Sequence, residues 1–197
     1  SVGDAATREL ICGGFTGGGS HNAAWAISSG YWAGNSAAQY ALNLGQQANQ
    51  RRVRSVGEAA LQPKAENASS PNINEFIQAV QAEVFPYNRN YFRTEKGLTE
   101  SLTNLNSLWQ IISDTHVEDS QLIRAREAAA MVATARWMYN SALERKETRG
   151  MHKHQDYPQQ DANQQHYLIS GGLDQVWVKT QPLTSADKSL SIAGVAA

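Results

Sequence analysis

The sequence predicts a mainly α-helical fold: an antiparallel three-helix bundle, preceded by a strand, a glycine-rich loop and a helix, and followed by a short β-containing tail. Two observations carry this expectation. Apolar residues recur at helical spacing in three consecutive stretches with short joins between about residues 72 and 149. Upstream, a short apolar run enters a cluster of glycines and then another helical pattern. Three segments are expected: 1–68, 69–150 and 151–197.

The elements follow in order. Leu10, Ile11 and Cys12 read as a buried strand that ends in glycine. Gly13, Gly14, Gly17, Gly18 and Gly19 form the loop, where a missing Cβ lets the backbone approach another group closely. After Ser28-Ser29-Gly30 a helix is expected to begin, with Ala33, Ala37, Tyr40, Ala41 and Leu44 on one stripe, and to run to about Gln50. Residues 51–70 lose the pattern and carry Gly57 and Pro63, as a linker does. Asn72 with Glu75 gives a helix start, Ile73, Ile77, Val80 and Val84 give its face, and Pro86 stops it.

Leu98, Leu102, Leu105, Leu108 and Ile112 mark the next helix. Thr115 and Glu118 have capping-box spacing, so the last helix is expected from about Glu118 to Arg149, with an alanine-rich inner face (Ala125, Ala129, Val132, Ala133) and then Trp137 and Tyr139. Gly150 breaks it. Residues 166–169 and 175–180 read as two strands joined by Gly171-Gly172-Leu173-Asp174.

The totals exclude several classes of function. Charged residues are 18% and hydrophobic residues 41% of the 197, a folding composition. A net charge of −1 offers no attraction to nucleic acid or an anionic membrane. No stretch approaches the roughly 20 apolar residues of a membrane helix, and the small polar start has no apolar leader core. The single cysteine cannot form an internal disulfide, which suits a reducing, cytoplasmic setting. Cys12 lies in an apolar run without a nearby cation and reads as inert core.

His152, His154 and His166 have no standard zinc spacing and no cysteine beside them, so no metal site is expected. A polar turn is expected there instead, with Glu147, Arg149 and Asp156 in an ion-pair network, Arg149 as its buried anchor, and residues 144–149 mostly a solvated helix end. The chemistry concentrates in residues 10–38. A glycine loop running into a helix N-terminus presents N–H groups and a positive dipole end to something electron-rich. Neither a dinucleotide fingerprint nor a phosphate-loop pattern is present, so a tight structural turn is the alternative. His21 sits in this stretch, where an imidazole can donate a hydrogen bond or a proton.

Three landmarks resemble one family. Leu10-Ile11-Cys12-Gly13-Gly14-Phe15-Thr16-Gly17-Gly18-Gly19-Ser20-His21 resembles its strand, glycine loop and histidine. Tyr91-Phe92-Arg93-Thr94-Glu95 resembles its Phe-Arg-Thr-Glu stretch. Glu147-Thr148-Arg149-Gly150-Met151-His152-Lys153-His154-Gln155-Asp156-Tyr157-Pro158 is similar to its Glu-Ser-Arg-Gly-x-His-x-Arg-x-Asp-Tyr-Pro and is the most specific of the three. The family is that of the fumarate reductase and succinate dehydrogenase flavoproteins, with L-aspartate oxidase and adenylylsulfate reductase relatives.

The resemblance implies FAD as cofactor in the complete protein. It implies that Gly13, Gly14, Gly17, Gly18 and Gly19 pass near the flavin, that Ser28, Ser29 and Gly30 present a helix N-terminus to the ring, and that His21 lies on the substrate side as the catalytic candidate. Residues 1–68 would then be the end of an FAD-binding domain. An FAD-binding N-terminal region or a companion subunit, and a small-molecule substrate, are the implied partners; a homo-oligomer stays open. The nucleotide-binding and capping parts have no counterpart here, so the chain is expected to bind FAD poorly and to be inactive alone. Two positions depart from the pattern: Trp25 takes the place of the arginine that grips a dicarboxylate, and Gly14 that of an acidic residue. An indole cannot replace a bidentate cation, which argues against succinate or fumarate chemistry; the Ser28-Ser29-Gly30 step looks more like the adenylylsulfate reductase branch. A non-catalytic helical scaffold and one half of a split flavoprotein are the alternative functions.

Overall fold

A computed structural model describes residues 1–6, 20–52, 72–115 and 117–184. The expected strand at residues 10–12, the glycine loop, most of the 51–70 linker and residues 185–197 lie outside the described residues. The chain falls into two compact units, one of Ser1–Glu58 with Asp187–Ala197 and one of Ala59–Ala186.

In the first unit, helix α1 spans Ser20–Leu44 and passes into a 3-10 stretch, Gly45–Gln50. The helix therefore begins at Ser20 and not after Gly30. Ser28, Ser29 and Gly30 continue the helical hydrogen bonding because Ala23, Ala24, Ala26 and Ile27 upstream are compatible with helix, and one interior glycine costs only about 1 kcal/mol. A short turn, Gly3–Ala5, packs on α1. Ser29 Oγ accepts from Gly3 N–H at 2.9 Å and donates to the Trp25 carbonyl at 2.6 Å, while Trp25 Nε1 donates to Gly3 O at 2.9 Å. Gly3 has φ +59°, so the turn needs its missing Cβ.

The second unit holds the core. Helices α2 (Ile73–Val84), α4 (Glu95–Ser113) and α5 (Leu122–Glu144) pack on one another, with a single-turn helix α3 (Tyr87–Asn90) between the first two. Asn72 caps α2 by accepting from Asn74 N–H, and Thr94 caps α4 by accepting from Gly97 N–H at 3.0 Å. From α4, Leu98, Leu102, Leu105, Trp109 and Ile112 are buried. They meet the alanine-rich face of α5, where Ala128, Ala129, Val132 and Ala133 let the helices approach closely. Tyr139 is fully buried and donates to the Glu83 carbonyl at 2.6 Å.

Both ends of the last helix differ from the sequence expectation. Thr115 does not cap it: its hydroxyl donates backwards to Ile111 O at 2.6 Å, and a 3-10 turn, Asp119–Gln121, leads into α5 instead. The C-terminus falls at Glu144, because Arg145 turns extended (φ −85°, ψ 94°) and brings Glu147 inward. Residues 145–149 are thus not a solvated helix end.

Two short sheets complete this unit. Strand β1 (Phe92–Arg93) pairs in parallel with β2 (Lys153–His154). Strands β3 (His166–Gly171) and β4 (Trp177–Pro182) form an antiparallel hairpin, close to where the sequence places it. A Cβ on Gly171 would collide with the Trp177 ring, so a larger residue there requires that ring to shift. The hairpin's connection is tied to the helices: Trp137 Nε1 donates to Gly172 O at 2.6 Å, Arg136 to the Leu173 carbonyl, and Trp109 Nε1 to Asp174 Oδ1 at 3.3 Å.

Candidate functional site

Two sites need an account, one at each glycine-bearing landmark. At the first, Gly13, Gly14, Gly17, Gly18 and Gly19 lie outside the described residues. His21 stands in the first turn of α1. Ser28 and Gly30 lie within the helix and are half-buried; a Cβ at Gly30 would meet open space. Ser29 is buried and its hydroxyl holds the Gly3 turn. Trp25, where the resemblance led one to look for an arginine, uses its indole N–H on Gly3 O and packs edge-on to Trp32. The first turn of α1 carries no acidic side chain, so its positive end is not offset by its own carboxylates.

The second site is built by α5's exit. Gly150, at φ +56°, permits the tight turn in which Arg149 and His152 exchange backbone hydrogen bonds at 3.0 Å. Glu147 is fully buried. Its carboxylate accepts from Arg145 Nη1 (2.7 Å), Arg149 Nε (2.7 Å), Arg149 Nη2 (2.9 Å) and Asp161 N–H (2.8 Å). Burial works against the charge, but the hydrogen bonds from Arg149, Asp161 and Arg145 outweigh it and hold the carboxyl down at about 2. The sequence reading made Arg149 the buried anchor with Asp156 in the network. The structure makes Glu147 the anchor, since one carboxylate can accept from two guanidinium groups. Asp156 instead accepts from Glu95 N–H at 2.7 Å.

The network reaches the second landmark. Arg93 Nη1 lies 2.7 Å from His152 Nδ1, and His152 Nε2 lies 2.9 Å from Arg145 O. Arginine only donates, so Nδ1 accepts and Nε2 carries the proton to the carbonyl. Tyr157 OH donates to Glu95 Oε2 at 3.3 Å. Landmarks some sixty residues apart in sequence are thereby joined, an Arg93–His152–Arg145–Glu147–Arg149 chain running beside the β1–β2 pair. Sequence reasoning missed Arg93, Arg145 and His152 in this role; the signal was the co-occurrence of the two landmarks, which implied a shared site. Among the described residues no group of three or more His, Cys, Asp and Glu side chains could hold a metal ion. No described helix is long and apolar enough to cross a membrane.

The comparisons agree with these landmarks. The family described as "Fumarate reductase flavoprotein C-term" matches residues 82–191, which spans both joined landmarks. The chain belongs to this family. Among solved structures, the Mycobacterium smegmatis Sdh1 complex in the apo form aligns with a TM-score of 0.54 at 22% identity, covering 64% of this chain and 23% of that one. Sdh1 from the same organism in complex with UQ1 aligns with a TM-score of 0.54 at 24% identity, over 64% and 23%. The Escherichia coli quinol fumarate reductase FrdA E245Q mutant aligns with a TM-score of 0.52 at 16% identity, over 61% and 23%. These likenesses concern the fold, and the chain spans about a quarter of the length of each of those chains. No curated protein matches the chain.

The family match falls almost wholly within the second unit. Its joined landmarks form a network in which the donors and acceptors named above are paired.

Proposed function

We propose that this chain is the C-terminal portion of an FAD-dependent oxidoreductase, supplying the helical domain and one wall of the flavin site. The family match over residues 82–191 carries the reading. The first turn of α1 supports the flavin wall: it follows a glycine-rich stretch and has no carboxylate of its own to offset the positive end. Reduced flavin gathers negative charge at its pyrimidine edge, which a helix N-terminus stabilises. FAD, when bound, supplies the hydride chemistry. Gly13, Gly14, Gly17, Gly18 and Gly19 would let the backbone approach the ring, and His21 would hold or donate a proton on the substrate side.

With α1 beginning at Ser20, residues 20–23 in place of Ser28, Ser29 and Gly30 would be the end that faces the flavin. Trp25 gives no cation for a dicarboxylate, so the substrate class is set by groups elsewhere. An FAD-binding region or companion subunit completes the site, and the single cysteine suits a cytoplasmic setting.

The test is flavin absorbance. The chain joined to, or mixed with, its FAD-binding polypeptide is expected to retain flavin through gel filtration and to bind little without it. A complex that forms yet stays colourless with added FAD would leave the helical scaffold reading in its place. In the complete enzyme, His21→Ala is expected to lower turnover at least tenfold; full turnover would remove His21 from the chemistry.

A further inference from the structure

The histidine pair on the β1–β2 junction is not absorbed by the flavin reading. His154 is 1% exposed, and neither ring nitrogen has a hydrogen-bond partner among the described residues. The ring packs edge-on to Tyr157 at 4.8 Å and to His152 at 5.8 Å between centroids. Its nearest carboxylate, Asp156 Oδ2, stands 4.0 Å from Nδ1 and already accepts from Glu95 N–H at 2.7 Å. His152 is pinned differently. Its Nδ1 accepts from Arg93 and its Nε2 donates to the Arg145 carbonyl, so both nitrogens are committed to the neutral ring.

We propose that His152 and His154 form an acid-sensitive latch, which in its neutral state clamps the strand before α4 to the loop after α5 and which protonation releases. A proton on His152 Nδ1 would face the Arg93 guanidinium across 2.7 Å and lose its acceptor role. One on His154 would leave a buried imidazolium without an acceptor at hydrogen-bond distance. Each group facing the pair pulls in a known direction. From the β1 side, Arg93 opposes protonation and Glu95 favours it. From the chain leaving α5, the Arg145 carbonyl favours protonation of His152, while the Arg145 and Lys146 charges oppose protonation of the pair. In the loop, Asp156 favours it. Tyr139 of α5 faces Arg93, and Tyr157 covers the His154 ring.

Burial is the first cause that lowers both imidazoles, His152 to about 4 and His154 in the same direction, and the neighbouring cations add to it. The sign follows. Histidines that take up protons more readily when unfolded contribute stability above their unfolded value of about 6.5 and lose it as pH falls from there towards the folded value.

The experiment is urea unfolding of the full chain at pH 7 and pH 5, with a His152→Gln/His154→Phe double variant as control. Glutamine keeps an acceptor for Arg93 and a donor for the Arg145 carbonyl, and phenylalanine keeps the ring; neither titrates. The wild type's unfolding constant is expected to rise about tenfold more than the variant's between the two values. Equal pH dependence in the two proteins overturns the latch. Should the double variant not fold, histidine proton resonances of the wild type decide. Two rings that stay neutral down to pH 5, with the Phe92, Arg93, Lys153 and His154 amides exchanging faster below it, support the proposal. A His152 or His154 ring that titrates near 6.5 while those amides stay protected overturns it.

Discussion

Helix α1, with 25 residues, is longer and richer in apolar residues than α4, with 19, yet it is the more exposed of the two. Along α4, one face is closed by α2 and α5, and Leu105 is fully buried. Along α1, the only buried residue among those described is the small Ser29, while Ile27 is 73% and Leu42 80% exposed, with Tyr31, Trp32 and Tyr40 also in the open. The second unit carries its own core. The first leaves large apolar side chains of α1 exposed among the described residues. The contrast separates what this chain stabilises by itself from what a flavin-binding region would have to complete.

The largest expected effect lies at the centre of the self-sufficient unit. Glu147→Gln leaves two guanidinium groups around a neutral amide and is expected to cost about 3–5 kcal/mol in urea unfolding of the second unit. The same carboxylate gives a pH prediction. Its folded value is depressed to about 2, so its contribution, roughly 3 kcal/mol, is complete above the unfolded value of about 4.5 and is lost as pH falls from there towards 2. E147Q is expected to lack this part of the acid-unfolding slope, and an unchanged slope contradicts the assignment.

Leu105→Ala should cost about 2–5 kcal/mol, since it opens a cavity in the packed centre. Ile27→Ala in α1 should stay within about 0.5 kcal/mol for the chain alone. A matching loss at both positions would erase the distinction between the two helices. Tyr139→Phe strands the Glu83 carbonyl without its 2.6 Å donor and is expected to cost about 1–2 kcal/mol in thermal unfolding. Ser29→Ala releases the Gly3 turn: about 1 kcal/mol or less, seen as faster amide exchange at Gly3 with no change in the second unit.

The helical core was legible because period and amphipathicity coincide there. Leu98, Leu102, Leu105 and Ile112 were marked by spacing and are buried, and the alanine face of α5 was marked by composition. Helix ends were less legible. Thr115 and Glu118 fit a capping box in spacing, but the Thr115 hydroxyl found the nearer Ile111 carbonyl. Ser28-Ser29-Gly30 resembles a helix start, yet its flanks sustain a helix and the Ser29 hydroxyl serves a tertiary contact. The Glu147 hub was half legible. Its motif stood out, but which member is buried depends on Asp161, Arg93 and Arg145 converging from outside it, and no local pattern encodes that.

Hydrogen exchange on α1 tests the central claim most directly. In the complete protein, amides of residues 20–44 are expected to slow at least tenfold when FAD is loaded, most at residues 20–25, while those of α4 and α5 keep their rates. Unchanged exchange across α1 in a protein that demonstrably holds flavin would mean that this helix forms no wall of the site.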